Sequence, residues 1–220
     1  MLLSMNVIEL FSSIDGEGKR QGFLTTFLRL HDCNIRCSYC DTLYSYGPES
    51  TFESMSVQAV ADVIEQLENH RITVTGGEPL LQESAIIELI DELTRRNVQY
   101  DFNIETNGTI IPSFHRDNVW FTYDYKTPSS LAEDAMNLDI FKVATPADII
   151  KFVVGSMQDL DRMDEILKTY PTDAQIFVSP VWGNIEGATI IEYMKAHNWQ
   201  NVRFQLQIHK FIWDPDAKGV

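Results

Sequence analysis

The stretch Phe23-Leu24-Thr25-Thr26-Phe27-Leu28-Arg29-Leu30 runs almost directly into Cys33-Asn34-Ile35-Arg36-Cys37-Ser38-Tyr39-Cys40. The first half, rich in aromatic and β-branched residues, reads as a strand. The second half holds all three cysteines of the chain at CxxxCxxC spacing. Three thiolates on one loop suit an open metal site. Structural zinc wants four ligands, and a disulfide framework wants an even number of cysteines. A [4Fe–4S] cluster takes one outside ligand per iron, so three cysteines leave one iron free to bind a molecule that reacts. That points to redox catalysis rather than electron storage. A zinc knuckle completed by His31 or another ligand is the alternative on spacing alone.

Working outward, short apolar runs alternate with amphipathic stretches. Val57, Val60, Ala61, Ile64 and Leu67 follow helical spacing behind Ser56 as N-cap. Ile72–Thr75 predicts a buried strand stopped by Gly76-Gly77, and Ile86, Ile87, Ile90 and Leu93 a second helix ending near Asn97. Further strands are predicted over Tyr100–Glu105, Trp120–Asp124, Ile149–Val154, Gln175–Ser179 and Val202–Ile208. Helices over Leu160–Leu167 and Ala188–His197 separate the last three. Thr127–Pro146 has no regular pattern. This rhythm predicts an α/β fold with a mostly parallel sheet, one domain spanning 1–220.

In such folds ligands gather on the loops after the carboxyl ends of strands. The cysteine loop, Gly76-Gly77-Glu78-Pro79, Glu105-Thr106-Asn107-Gly108 and Lys126 all fall there. Each has a bland reading when taken alone: a Gly-Gly turn, an Asn-Gly turn, a solvated lysine. Their shared rim argues for a shared site.

The 220 residues are 44% hydrophobic and 22% charged, with a formal charge of −15. Such a surface repels nucleic acid. No apolar run is long enough to cross a bilayer, and the start Met1-Leu2-Leu3-Ser4-Met5 lacks the basic n-region of a secretory leader. Clustered free thiols fit a cytoplasmic location.

CxxxCxxC with Tyr39 before the last cysteine resembles the signature of the radical S-adenosylmethionine (SAM) superfamily. The resemblance implies a partial, trimmed (β/α) barrel. It implies that Cys33, Cys37 and Cys40 bind a [4Fe–4S] cluster whose fourth iron is chelated by SAM. Reductive cleavage of SAM then gives a 5′-deoxyadenosyl radical that abstracts a substrate hydrogen. Gly76-Gly77-Glu78-Pro79 resembles the GGEP motif that meets the SAM amino group, and Glu105-Thr106-Asn107-Gly108 the ETNG segment. With Asp124 and Lys126 they form the implied SAM site, Tyr39 beside them.

A narrower resemblance, from about Ile8 to Trp213, is to the 7-carboxy-7-deazaguanine synthase family. It rests on Gly16-Glu17-Gly18, Arg29, Cys33-Asn34, Cys40-Asp41-Thr42, Ser179-Pro180-Val181-Trp182-Gly183-Asn184 and Gln205-Leu206-Gln207-Ile208-His209-Lys210. It implies ring contraction of 6-carboxy-5,6,7,8-tetrahydropterin to 7-carboxy-7-deazaguanine with loss of ammonia, towards queuosine-type 7-deazapurines. It also implies Mg²⁺ held by Thr42, a homodimer and an external electron donor such as flavodoxin. The implied substrate residues are Glu17, Arg29, Gln207 and His209. Alternation over Phe204–His209 would set Gln205, Gln207 and His209 on one face of a strand. The family often has Gln where Asp15 stands, and Ser-Pro where Asp124-Tyr125 stands. The tail after His209 is longer than in members whose terminus enters the pocket, so that role is not carried to Val220. Phe211 and Trp213 are expected to pack on the core or on a second subunit.

Two rival classes share the cysteines. A glycyl-radical activating enzyme acts on a partner protein and needs an open groove. An iron–sulfur sensor or electron carrier leaves Glu78 and Thr42 without a role.

Overall fold

The computed structural model describes residues 3–220; Met1 and Leu2, part of the leader reading, lie outside them. The strands are β1 (Ser4–Ile14), β2 (Leu24–Leu30), β3 (Glu53–Ser56), β4 (Arg71–Gly76), β5 (Asp101–Thr106), β6 (Val119–Tyr125), β7 (Ile149–Val154), β8 (Gln175–Pro180) and β9 (Val202–Phe204). They form one open sheet in the order β3-β1-β2-β4-β5-β6-β7-β8-β9. β1 pairs antiparallel with β2 and β3; every pairing from β2 to β9 is parallel. The sheet curls without closing, as the trimmed-barrel expectation requires.

The helices are α1 (Val57–Gln66), α2 (Glu83–Arg96), α3 (Ile140–Val143), α4 (Met157–Thr169), α5 (Gly187–Ala196) and α6 (His209–Ile212). Ser56 Oγ caps α1 by accepting from Ala59 N at 3.2 Å, and Ser156 Oγ caps α4 through Asp159 N at 3.3 Å. α2 buries Ala85, Ile86, Leu89, Ile90 and Leu93, and Arg96 in its last turn reaches Asp62 and Glu65 of α1.

Strand alternation divides the molecule. Ile72 and Val74, Phe102 and Ile104, Phe121 and Tyr123, Ile150 and Phe152, Ile176 and Val178 pack into one core with the helices. The residues between them turn to the concave face, where Thr75, Glu105, Thr122, Asp124, Lys151 and Val153 line a cavity. Apolar burial holds the helices on; the other face carries the polar side chains that line the cavity.

Three elements depart from expectation. β9 stops at Phe204, and His209 already begins α6, so Gln205–Ile208 is not strand. Thr127–Pro146 carries two 3₁₀ turns and α3. β1 and β3, absent from the sequence reading, extend the sheet beyond β2.

Candidate active site

The cysteine loop leaves β2 through Asp32, whose φ of 80° is left-handed. Asp32 Oδ1 accepts from Cys33 N at 2.7 Å. Arg36 Nη1 donates to Cys33 O at 2.6 Å and Ile35 O at 2.7 Å, and its guanidinium covers the Tyr46 ring. Ser38 N donates to Ser130 O at 2.9 Å, tying the loop to the segment after β6. Gly76 and Gly77 permit this packing. A Cβ on Gly76 would run into the Leu30 carbonyl and stand 2.7 Å from Leu30 N; one on Gly77 would stand 2.8 Å from Cys33 Cβ. The close approach is to the cysteine loop itself.

One cavity gathers the expected residues. Cys33, Cys37, Cys40, Tyr39, Thr42, Gly76, Gly77, Glu105, Asn107, Asp124, Lys126, Glu17, Arg29, Gln207 and His209 all line it. Glu78 is not among the lining residues. Its side chain is fully buried, and its Oε1 accepts from Leu80 N and Thr106 Oγ1, each at 2.9 Å. Oε2 accepts from Asn107 N at 2.7 Å. The carboxylate fastens one strand-end turn to the next.

The three thiols face the cavity with no fourth cysteine in the chain. Among the described residues no three His, Cys, Asp or Glu side chains form a ready-made ion cage. His31, the residue needed for a zinc knuckle, lies outside the cavity with its ring 4.3 Å from that of Phe52. Burial pushes the Cys33 thiol up, and pushes Cys37 up to about 11 against the pull of Lys126. A cationic centre would offset that burial cost. Asn107 Nδ2 sits 3.7 Å from Cys33 Sγ and 2.9 Å from Asn34 Oδ1. The donor set suits a cluster with one open iron.

Beside the thiols, Lys126 Nζ lies 3.1 Å from Asp124 Oδ2. Burial would lower its pKa, but Asp124, Tyr39 and Cys37 together raise it, so it stays charged. Tyr39 OH donates to Val153 O at 3.3 Å. Among the described residues Asp124 Oδ1 has no hydrogen-bond partner. This corner holds one fixed cation and one free carboxylate oxygen, which suits the carboxylate and ammonium of an amino acid.

The opposite wall is a polar lattice around Glu17. Its Oε1 accepts from Gln207 Nε2 at 3.0 Å and Lys151 Nζ at 3.2 Å; its Oε2 accepts from Gln205 Nε2 at 3.3 Å. Gln205 Oε1 accepts from Gly18 N at 2.8 Å, and Ile208 N donates to Gly16 O at 3.0 Å. Gly16 has room for no Cβ because the His209 ring packs on it. Gln207 and His209 therefore reach the cavity without the predicted strand: loop Gly16–Gly18 holds Gln205 and Gln207, α6 delivers His209, and Gln205 stays buried behind them. Burial lowers the His209 pKa while Glu17 opposes that.

Arg29 Nε donates to Glu9 Oε2 at 2.9 Å, and Tyr44 OH donates to the same oxygen at 2.9 Å. Thr42 Oγ1 is 3.6 Å from Cys40 Sγ. Asp15 lines the cavity and pairs with Arg20, whose Nε lies 3.1 Å from Asp15 Oδ2.

Three contributors were missed from sequence. Lys151 lines the cavity from the middle of Ile149–Val154; a lone cation in an apolar strand was the available signal. Glu9 lies on the unread β1. Pro215–Val220 also line the cavity, with Lys218 Nζ 4.2 Å above the Tyr44 ring. Phe211 and Trp213 do not enter the core: they are 61% and 37% exposed, and Phe211 stacks edge-on against Trp182.

An open α/β half-barrel with three cysteines at its strand ends is the layout of a radical SAM enzyme, and residues 29–137 match the radical SAM superfamily. A crystal structure of QueE from Escherichia coli superposes with a TM-score of 0.69, covering 92% of this chain and 94% of that one at 24% identity. Curated 7-carboxy-7-deazaguanine synthases are closer in sequence. The Clostridium acetobutylicum enzyme is 37% identical over 99% of this chain and 100% of its own. That of Leptospira interrogans is 36% identical over 99% of each chain. The chain belongs to the 7-carboxy-7-deazaguanine synthase family, and membership brings a [4Fe–4S] cluster and SAM as cofactors.

Proposed function

We propose that this chain, as one radical SAM domain spanning 1–220, converts 6-carboxy-5,6,7,8-tetrahydropterin to 7-carboxy-7-deazaguanine with loss of ammonia, as a lyase of 7-deazapurine (queuosine-type) biosynthesis. The observation that carries this is a single cavity joining the cysteine loop to the Glu17–Gln205–Gln207 lattice and Arg29. Bound together, cluster and SAM supply the one-electron chemistry that removes a substrate hydrogen.

The chain's own residues bind and orient. Lys126 and Asp124 oppose the carboxylate and ammonium of SAM. Glu17 accepts from the pterin's amino and ring N–H groups, with Gln207 and His209 along the same edge. Arg29 pairs with the substrate carboxylate. Thr42 would offer its hydroxyl oxygen to Mg²⁺, a cation that takes oxygen ligands. The buried polar wall favours a small polar substrate over the loop of a partner protein, against the activating-enzyme class. An electron carrier would have no use for that wall.

We further propose a homodimer and a reducing protein partner such as flavodoxin, in the cytoplasm. No described helix is long and apolar enough to cross a membrane. Exposed Trp182, Phe211 and Trp213 are candidates for the subunit contact, and light scattering at working concentration tests it: a strictly monomeric mass removes the dimer.

The decisive experiment is anaerobic. Reconstituted protein with SAM, Mg²⁺, reductant and the carboxytetrahydropterin should yield 7-carboxy-7-deazaguanine by mass, and Ala at Cys33, Cys37 or Cys40 should abolish it. Stoichiometric zinc without iron in protein purified anaerobically would overturn the reading.

A further inference from the structure

Val7 and Glu9 lie two residues apart on β1 yet face opposite sides of the sheet. Val7 pairs with Leu30 and is buried with it in the core. Glu9 pairs with Arg29, and the next pair on that face, Phe11 and Phe27, stacks at 5.3 Å and lines the cavity beside Arg29. On a regular strand residues i and i+2 share a face. The register shifts between Val7 and Glu9, so Ile8 is an extra residue and the alternation reverses there. Without this bulge Glu9 would follow Val7 into the apolar core, where an ionised carboxylate is costly.

Glu9 Oε2 takes both Arg29 Nε and the Tyr44 hydroxyl, and the Tyr44 ring lies 5.8 Å from Arg29 Cζ. Arg29 makes no other hydrogen bond among the described residues, so Nη1 and Nη2 are left for a ligand in the cavity it lines. A guanidinium held only through Nε keeps its outer two-nitrogen edge available to a carboxylate.

We infer that Glu9, turned by the β1 bulge to the face of the sheet that carries Arg29, is a positioning residue that with Tyr44 aims Arg29 at the substrate carboxylate. This rests on the pterin reading above. Glu9 thereby sets the preference for carboxylated over uncarboxylated pterin without touching either.

The test is affinity of the SAM-loaded holoenzyme for 6-carboxytetrahydropterin and for the same tetrahydropterin lacking the carboxylate. Glu9→Ala should weaken the first by about tenfold, the scale of one misplaced charge-assisted hydrogen bond, and leave the second unchanged. Glu9→Gln keeps the acceptor and should stay within about threefold of wild type. In an Arg29→Ala background Glu9→Ala should add nothing. If Glu9→Ala does not fold, Glu9→Asp, which keeps the charge and withdraws the acceptor, carries the same expectation. Equal weakening of both pterins, an undiminished effect without Arg29, an equal loss of SAM binding, or matching losses in the Gln and Ala variants would each overturn the role. Wild-type protein that binds neither pterin would sink the proposed function as well; wild type that discriminates while Glu9→Ala does so equally sinks this inference alone.

Discussion

The ammonium of Lys151 stands 3.2 Å from Glu17 Oε1. Lys151 also faces Asp124 across the β6–β7 ladder at 3.4 Å, so one buried cation joins the carboxylate proposed for pterin to the carboxylate proposed for SAM. Burial alone would lower its pKa, but Asp124, Glu17 and Glu105 outweigh that and hold it charged.

Lys151→Met should therefore take from Glu17 its paired cation, while Asp124 keeps Lys126. The expected loss of stability is on the order of 3 kcal/mol, as for removal of one partner from a buried pair. Pterin affinity should fall as well, because Glu17 loses its anchor. Denaturant titration and ligand affinity check both; a loss under roughly 1 kcal/mol would mean the pair behaves as a surface bridge.

Glu78→Gln should act on the scaffold more than on SAM. The amide nitrogen would meet a donor where an oxygen now accepts from Leu80, Thr106 or Asn107, at about 2 kcal/mol for a buried group left unpaired. Thermal unfolding and SAM affinity separate the roles: unchanged stability with a large loss of SAM would restore Glu78 as a direct ligand.

Glu105 sets a pH dependence. Burial pushes its carboxyl up to about 7 from an ordinary 4.5; Lys151 opposes that while Glu17, Asp15 and Asp124 add to it. A raised acid is protonated in the fold and ionised in the unfolded chain, so its contribution to stability is full below 4.5 and is lost as pH rises to about 7. Across that window wild type should lose stability relative to Glu105→Gln, in denaturant melts at each pH. A pH-independent difference would show that Glu105 does not titrate there.

Thr42→Ala should leave iron content and SAM binding near wild type while raising the Mg²⁺ concentration needed for turnover. Thr42 lies beside Cys40 without being a thiolate ligand, and one neutral oxygen among several is a modest part of a Mg²⁺ shell. Thr42→Ser should restore the requirement. Wild-type turnover indifferent to chelation would dismiss the metal role.

The parallel sheet was legible because its strands are short apolar runs closed by glycine and asparagine turns, and the site because strand ends carried the cysteines, Glu105, Asp124 and Lys126. β1 was not legible: the bulge at Ile8 breaks the two-residue period that marks a strand. Gln207 and His209 were singled out by the family resemblance, but alternation placed them with Gln205 on a strand, where loop contacts to Gly16–Gly18 and a helical turn do the placing. Glu78 misled because its motif marks the SAM corner while its carboxylate serves three neighbours within the fold. Lys151 was overlooked because Ile149–Val154 was read only as a strand, with no account of its two faces, whereas one face of this sheet is the cavity wall.

The final residues Pro215–Val220 form part of the cavity wall, with Lys218 over Tyr44. Whatever is joined after Val220, such as a purification handle or a fluorescent reporter, would thus begin at the mouth of the reaction chamber. Handles for isolating this enzyme in working form belong at the other end of the polypeptide.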